Sequence, residues 1–337
     1  MSLARNDRLP SYALEHPALV YRSLDEFLAY TVPFVRQGVA DGEPVFGALG
    51  PTELDALRSE VKSNGAVHLE DTNEWHPVPA TRLRAFHRFV TDALQRGAEH
   101  VRLIGEPLWL NGPPGSALEW ARYESVLNDV LASFPVTLVC TYDRSRLRPE
   151  IVADAGRTHP AVWTNGATSP SADFEDPSSL LARWTPQLTP VPSDAASMPP
   201  PFDPAASRAF VRDRAALAGV AESRSMDLAL AASEILANAH DHGAGPTALR
   251  TWADGGYLVC QIDDAGAGLA DPFAGYRPPG TEQRTGRGLW LARQVVDLMQ
   301  IAPGPRGTSV RFQVPIGTAH PLTPDRSRNS PATPEVR

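Results

Sequence analysis

No apolar run in this 337-residue sequence reaches the roughly 18 residues that cross a bilayer, and the opening MSLARNDRLP has no signal-peptide core. Basic charge is also scarce. Thirty-one Lys and Arg against 39 Asp and Glu leave a net charge of -8, which argues against general or direct nucleic-acid binding. Cysteine is nearly missing: Cys140 and Cys260 lie in the strand-like runs VTLVCTY and YLVCQI and read as buried free thiols, with neither a disulfide nor a metal site expected. A phosphate-binding G-x-x-x-x-G-K-[ST] loop is absent as well; GALGPTELDAL, at a strand-to-helix turn, has neither its lysine nor its second glycine. What these absences leave is a soluble, cytoplasmic chain without a membrane association, long enough for two domains with their own cores.

Proline is what the sequence has in plenty. Ten of its 33 prolines fall between Pro160 and Pro204, so residues 161–204 read as a linker and docking segment, with a turn or two of helix in DPSSLLARW. Before it, over residues 13–160, strands and helices alternate: ALVY, then SLDEFLAYTVPFVRQGVADG capped by Ser23, PVFGALG, PTELDALRSEV, AVHLED, and onward to PVTLVCTYD. This order predicts an α/β domain with a mostly parallel sheet. After the linker, residues 205–316 begin with two helices, about 206–219 and 224–242. Two strands, a glycine-rich stretch, the helix LWLARQVVDLM and the strand TSVRFQVP follow, which predicts an α+β sandwich of helices on a mixed sheet. The tail, residues 317–337, is polar, proline-rich and expected to be disordered.

Four elements of the second domain carry chemistry. In SEILANAHDHG, Glu234 and Asn238 are four apart and share one helix face, while Leu228, Leu230, Ile235 and Leu236 are available to pack on the sheet. A carboxylate and an amide there offer a proton acceptor and an oxygen ligand for magnesium, although an exposed polar face gives the same pattern. CQIDDAGAGL brings a strand to Asp264 and runs into Gly266 and Gly268; the carboxylate could accept from an exocyclic amine while the glycines admit a flat ring, or the stretch is a turn. RTGRGLWLARQVV sets Gly286 and Gly288 just before a helix, with Arg284 and Arg287 beside them, which fits a phosphate cradle or a structural cap. GTSVRF opens a strand at Gly307 and Thr308. His240 and His242 do not share a helix face, so a paired metal site is disfavoured.

In their order along the chain, these four elements resemble the Bergerat-type ATP-binding fold of histidine kinases and gyrase. They are most similar to the bacterial anti-sigma-factor serine/threonine kinases, whose box E-x-x-x-N-A-x-x-H-G is matched at Glu234, Asn238, Ala239, His242 and Gly243. The resemblance implies ATP and Mg2+ as cofactors, Glu234 as general base, Asn238 as the metal ligand and Asp264 as the reader of adenine. It also places Gly266, Gly268 and Thr308 at the base, Gly286, Gly288 and Leu289 at the phosphates, and His242 near the helix end. The partner it implies is a STAS-type anti-anti-sigma protein as substrate, with a sigma factor as a further partner. Such kinases are often homodimers; no coiled coil or long apolar stripe demands one here.

A sensor histidine kinase would need a helical hairpin bearing a phospho-accepting histidine, and the only His followed by an acid is His240-Asp241, inside the box itself. A binding module whose nucleotide only sets partner affinity is the other alternative. Residues 13–160 resemble the MEDS sensory domain of methanogen and methylotroph regulators, related to RecA/KaiC-type sheets, through HPALVYRSLDEFLAYTVPFVRQGVADGEPVF and VRLIGEPLW. That resemblance implies a small-molecule signal. His16, Tyr21, Glu106 and Trp109, at strand ends or just beyond, are the residues for it, with strand-edge packing the competing reading of His16 and Tyr21.

Overall fold

The computed structural model describes residues 14–61, 65–108, 112–164, 167–266, 268–279, 287–304 and 307–317. The first half alternates as β1 (Pro17–Tyr21), α1 (Leu24–Ala40), β2 (Val45–Leu49), α2 (Pro51–Glu60), β3 (Val67–Asp71), α3 (Pro79–Gln95), β4 (Val101–Gly105), α4 (Ser116–Val130), β5 (Val136–Asp143) and α5 (Pro149–Thr158). Local chemistry sets these bounds. Ser23 accepts the Glu26 N–H to cap α1, Gly42 takes a positive φ just past its end, and Pro51 sits in the first turn of α2, where its missing N–H costs nothing. The sheet runs β3-β2-β4-β5-β1-β6-β7, and all its pairings are parallel except that of β6 (Ala161–Thr164) with β7 (Ala167–Pro170). Its strands β1, β2, β4 and β5 are buried on both faces and read as continuous apolar runs. Phe27, Val35 and Leu57 fill one face; Phe86, Trp120 and Val126 fill the other.

The segment expected as a linker, residues 161–204, is structured in several places. It supplies β6 and β7 to the first sheet, α6 (Pro177–Arg183), and β8 (Ala196–Met198), which pairs with the edge of the second sheet. Its prolines are compatible with this because Pro177 falls in a first helical turn, Pro170 at a strand end, and others, such as Pro186, Pro190 and Pro192, between elements, where no ladder donor is lost.

The second half comprises α7 (Pro204–Leu217), α8 (Glu222–Asp241), β9 (Pro246–Asp254), β10 (Tyr257–Asp264), α9 (Gly288–Val295), β11 (Leu298–Gly304) and β12 (Gly307–Pro315). The sheet β11-β12-β10-β9-β8 is antiparallel throughout, where a mixed one was expected. The helix expected over LWLARQVVDLM stops at Val295. Asp297 donates its N–H to Gln313 and Leu298 pairs with that same residue, so strand pairing captures the last third of the run. Leu228, Ile235 and Leu236 of α8 are buried against this sheet, whereas Leu230 faces outward at 37% exposure.

The two halves share a buried seam. Phe273 and Tyr276, from the stretch between β10 and α9, are packed into the core of the first domain. The Tyr276 hydroxyl donates to Glu119 Oε1 of α4 at 2.8 Å and accepts from Arg122 Nε at 2.9 Å, and Arg293 Nη1 of α9 reaches the same Glu119 oxygen at 2.6 Å.

Candidate functional site

Helix α8 ends in the stripe that carries Glu234 and Asn238, and α9 starts against it. A Cβ on Gly288, the first residue of α9, would stand 2.9 Å from Glu234 Oε2 and 2.9 Å from Asn238 Nδ2. Glycine is what lets the amide end of α9 come this close to a carboxylate and an amide. Asn238 Nδ2 is buried and has no acceptor among the described residues. Such an orphan costs about 1–3 kcal/mol until an acceptor reaches it.

The other end of the site is built by β10. Asp264 shares the helix-facing side with Leu258, Cys260 and Ile262, and the β9–β10 ladder slips between Asp263 and Asp264. Its Oδ1 accepts the Gly266 N–H at 2.7 Å and lies 3.2 Å from where a Cβ on Gly243, just past α8, would be. Gly268 has φ +93°, and its open side faces Pro303 and Thr308 Oγ1. At Gly307 any side chain would run into the Asp264 carbonyl. Asp264, Gly266, Gly268 and Thr308 thus gather at one corner. Gly243 connects that corner to the last turns of α8, where Glu234 and Asn238 stand. An open cleft of about 600 Å³ touches Asp264 and Thr308 but is otherwise walled by groups such as Arg250, Gln261 and Asp263, and it does not reach Glu234.

The remaining expected residues are placed as follows. His242 is the exposed C-cap of α8, its N–H bonded to the Asn238 carbonyl. Leu289 is half-buried on the second core and against Gly275, so it packs rather than lines. Arg287 is the exposed N-cap of α9. Arg284, Gly286 and Trp109 lie outside the described residues.

In the first domain, Tyr21 and Glu106 do share one edge. The order β2-β4 with crossovers leaving in opposite directions makes a switch point at the carboxyl ends of those strands. There Glu106 accepts the Gly50 N–H at 2.6 Å, and the Tyr21 hydroxyl donates to Glu53 at 3.0 Å. Burial, with Glu53 beside it, pushes the Glu106 carboxyl up to about 7 against the favourable Gly50 bond. His16 does not belong to this edge: it precedes β1 and is buried at the opposite end of the sheet.

Comparison with known proteins matches residues 15–160 to the family MEthanogen/methylotroph, DcmR Sensory domain, and residues 201–314 to the family Histidine kinase-like ATPase domain. The chain carries a MEDS sensory domain followed by a histidine kinase-like ATPase domain. No curated protein matches it. Among solved structures, the mycobacterial sensor histidine kinase MprB is similar at 22% identity over 27% of this chain and 71% of that one, with a TM-score of 0.23. The histidine kinase domain of the Erythrobacter litoralis EL346 blue-light activated histidine kinase is similar at 15% over 70% and 94%, also with a TM-score of 0.23. Likenesses at this level say nothing of activity. No helix among the described residues is long and apolar enough to cross a membrane.

The contacts of the ATPase domain with the MEDS domain were not foreseen. Glu119, Arg122, Tyr276 and Arg293 are separated by up to 174 residues and form no local motif. The only sequence sign was indirect: apolar Phe273 and Tyr276 in a glycine- and proline-rich loop, where solvent exposure would be costly.

Proposed function

We propose that this protein is an ATP-dependent serine/threonine kinase of the anti-sigma-factor type, governed by its MEDS domain. The observation that carries the reading is the meeting of Glu234, Asn238 and the glycine start of α9 at one point. Asp264, on the strand end, would accept a hydrogen bond from the adenine amine, with Gly266 and Gly268 giving the ring access to the backbone. The free N–H groups at the start of α9, with Arg287 beside them, would face the phosphates. The Asn238 side-chain oxygen would ligate magnesium and its orphaned Nδ2 would donate to a phosphate oxygen, and the ion when bound would neutralise charge on the phosphates. Glu234, within reach of the same point, would take the proton from a partner's serine hydroxyl as that oxygen attacks the terminal phosphoryl group. The substrate in this reading is a STAS-type anti-anti-sigma protein, and a sigma factor is the second partner.

The test incubates the chain with labelled ATP, magnesium and candidate STAS proteins. Acid-stable label on a partner serine supports the reading. Acid-labile label on this chain would make it a histidine kinase, and ATP binding without transfer would make it a binding module. Glu234→Ala should keep nucleotide affinity within a few-fold and abolish transfer; undiminished transfer by this variant removes Glu234 from the chemistry.

A further inference from the structure

Four side chains with metal-ligating atoms meet inside the MEDS domain, far from the nucleotide site. They are His16 before β1, Glu124 on α4, Cys140 in β5 and His159 at the end of α5, all buried, with their ligand atoms within 4.8 Å of one another. His159 Nε2 is 3.2 Å and His16 Nε2 3.6 Å from Glu124 Oε2, and His16 Nε2 is 3.3 Å from Cys140 Sγ. Ligand atoms about 2.0–2.3 Å from one tetrahedral ion stand roughly 3.3–3.7 Å apart, so these three separations fit a coordination shell and the wider pairs, within 4.8 Å, would close on the ion.

The surroundings fix what each atom can do. Asn128 Nδ2 donates to the Thr158 carbonyl at 2.7 Å, which turns its Oδ1 toward His16 Nδ1 at 3.0 Å. His16 Nδ1 must therefore carry the proton. His159 Nδ1 faces the Ala155 carbonyl at 2.9 Å and carries its proton for the same reason. Both Nε2 atoms are left as lone pairs: that of His16 accepts from the Cys140 thiol, while that of His159 points at the Glu124 carboxylate, which is an acceptor too. Consistent with this, His159 Nε2 and both oxygens of Glu124 have no hydrogen-bond partner. His159 Nε2 and the Glu124 carboxylate thus face one another as acceptors in a dry interior, and the thiol proton serves His16 alone. A divalent cation satisfies all four ligand atoms.

We infer that His16, Glu124, Cys140 and His159 form a closed zinc site in the MEDS domain. The thiolate disfavours magnesium and calcium, and two imidazoles with a thiolate and a carboxylate suit Zn2+. On binding, Cys140 gives its thiol proton to solvent; the resulting thiolate and the Glu124 carboxylate together cancel the ion's charge, so the buried site is neutral. The carbonyls behind the two imidazoles are the outer partners that such ligands use to hold their tautomer. The ion would tie β1, α4, β5 and α5 together. The sequence reading of Cys140 as an isolated thiol missed this because its three companions lie 16 to 124 residues away.

The test is metal analysis of the full chain purified without chelator. We expect about one zinc per chain, and cobalt exchange should give a thiolate-to-cobalt absorption that Cys140→Ser abolishes. Asn128→Ala, which keeps all four ligands, should weaken zinc affinity by about 10–100-fold. Substoichiometric metal with no uptake on zinc addition, or a cobalt-exchanged wild-type chain without thiolate absorption, overturns the inference. The wild-type measurements decide even where a ligand variant fails to fold.

Discussion

Glu119→Ala should be among the most destabilising single changes in this chain. The Glu119 carboxylate receives Arg293 at 2.6 Å and the Tyr276 hydroxyl at 2.8 Å, and the Glu119 and Arg293 side chains are only 6% and 3% exposed. Without it, the Arg293 guanidinium stays buried over the Tyr276 ring and keeps its bond to the Met299 carbonyl at 3.1 Å. Removing one partner of a buried pair costs about 3–5 kcal/mol, chiefly because the other charge is stranded. With a urea slope of about 2–3 kcal/mol/M, the unfolding midpoint should fall by on the order of 1–2 M. The control is the double variant Glu119→Leu, Arg293→Met, which removes both charges together. It should recover part of the loss, since apolar replacement of a buried pair is often neutral or better, while Arg122, 3.8 Å from Glu119, loses its counter-charge and keeps the Leu181 and Trp184 carbonyls. Urea denaturation of the wild type, Glu119→Ala, Glu119→Leu, Arg293→Met and the double variant at one pH checks this. A Glu119→Ala loss under about 1 kcal/mol, or a double variant as weak as the two single losses summed, would refute the reasoning that the seam is an obligate buried pair.

Two further outcomes follow from the same geometry. Gly288→Ala gains up to about 1 kcal/mol of helix propensity but sets a methyl 2.9 Å from Glu234 Oε2 and Asn238 Nδ2. Thermal stability should barely move while Mg-ATP affinity drops more than tenfold by calorimetry; unchanged affinity would take the phosphates away from α9. Glu106 titrates near 7 in the folded chain against its ordinary 4.5, so ionising it opposes folding. Stability is whole below pH about 4.5 and declines as pH rises toward 7, by at most about 3 kcal/mol. Subtracting urea series for Glu106→Gln from those of the wild type should isolate that decline between pH 5 and 7, and parallel curves would contradict it.

What the sequence made legible was local. Ser23, Pro51 and the glycine after α1 act within a turn of where they stand, and the alternation of the first domain follows from apolar runs a few residues long. The grouping of residues in the second domain was nearly as readable, because Glu234 and Asn238 share a helix stripe and Asp264, Gly266 and Gly268 share a strand end. Errors arose where a distant partner outbid local preference. Leu298 and Met299 had the pattern of a helix end until β12 offered a ladder, and the segment 161–204 had the composition of a linker until β1 and β9 offered edges.

The two polar clusters of the interior were illegible for a stronger reason. Glu119 and Glu124 sit on one helix whose residues from Trp120 to Leu127 are all buried, so periodicity assigns the stretch to a core without saying what its carboxylates meet. Their partners come from β1, β5 and α5 in one case and from the loop after β10 and α9 in the other. A buried charge can persist only with a partner, so the sequence-level signal was the carboxylate itself, twice, inside an aromatic and aliphatic helix. Read that way, SALEWARYESVLNDV announces two obligate partnerships, and only the tertiary fold can say that one is a guanidinium of the ATPase domain and the other a ring of imidazole and sulfur.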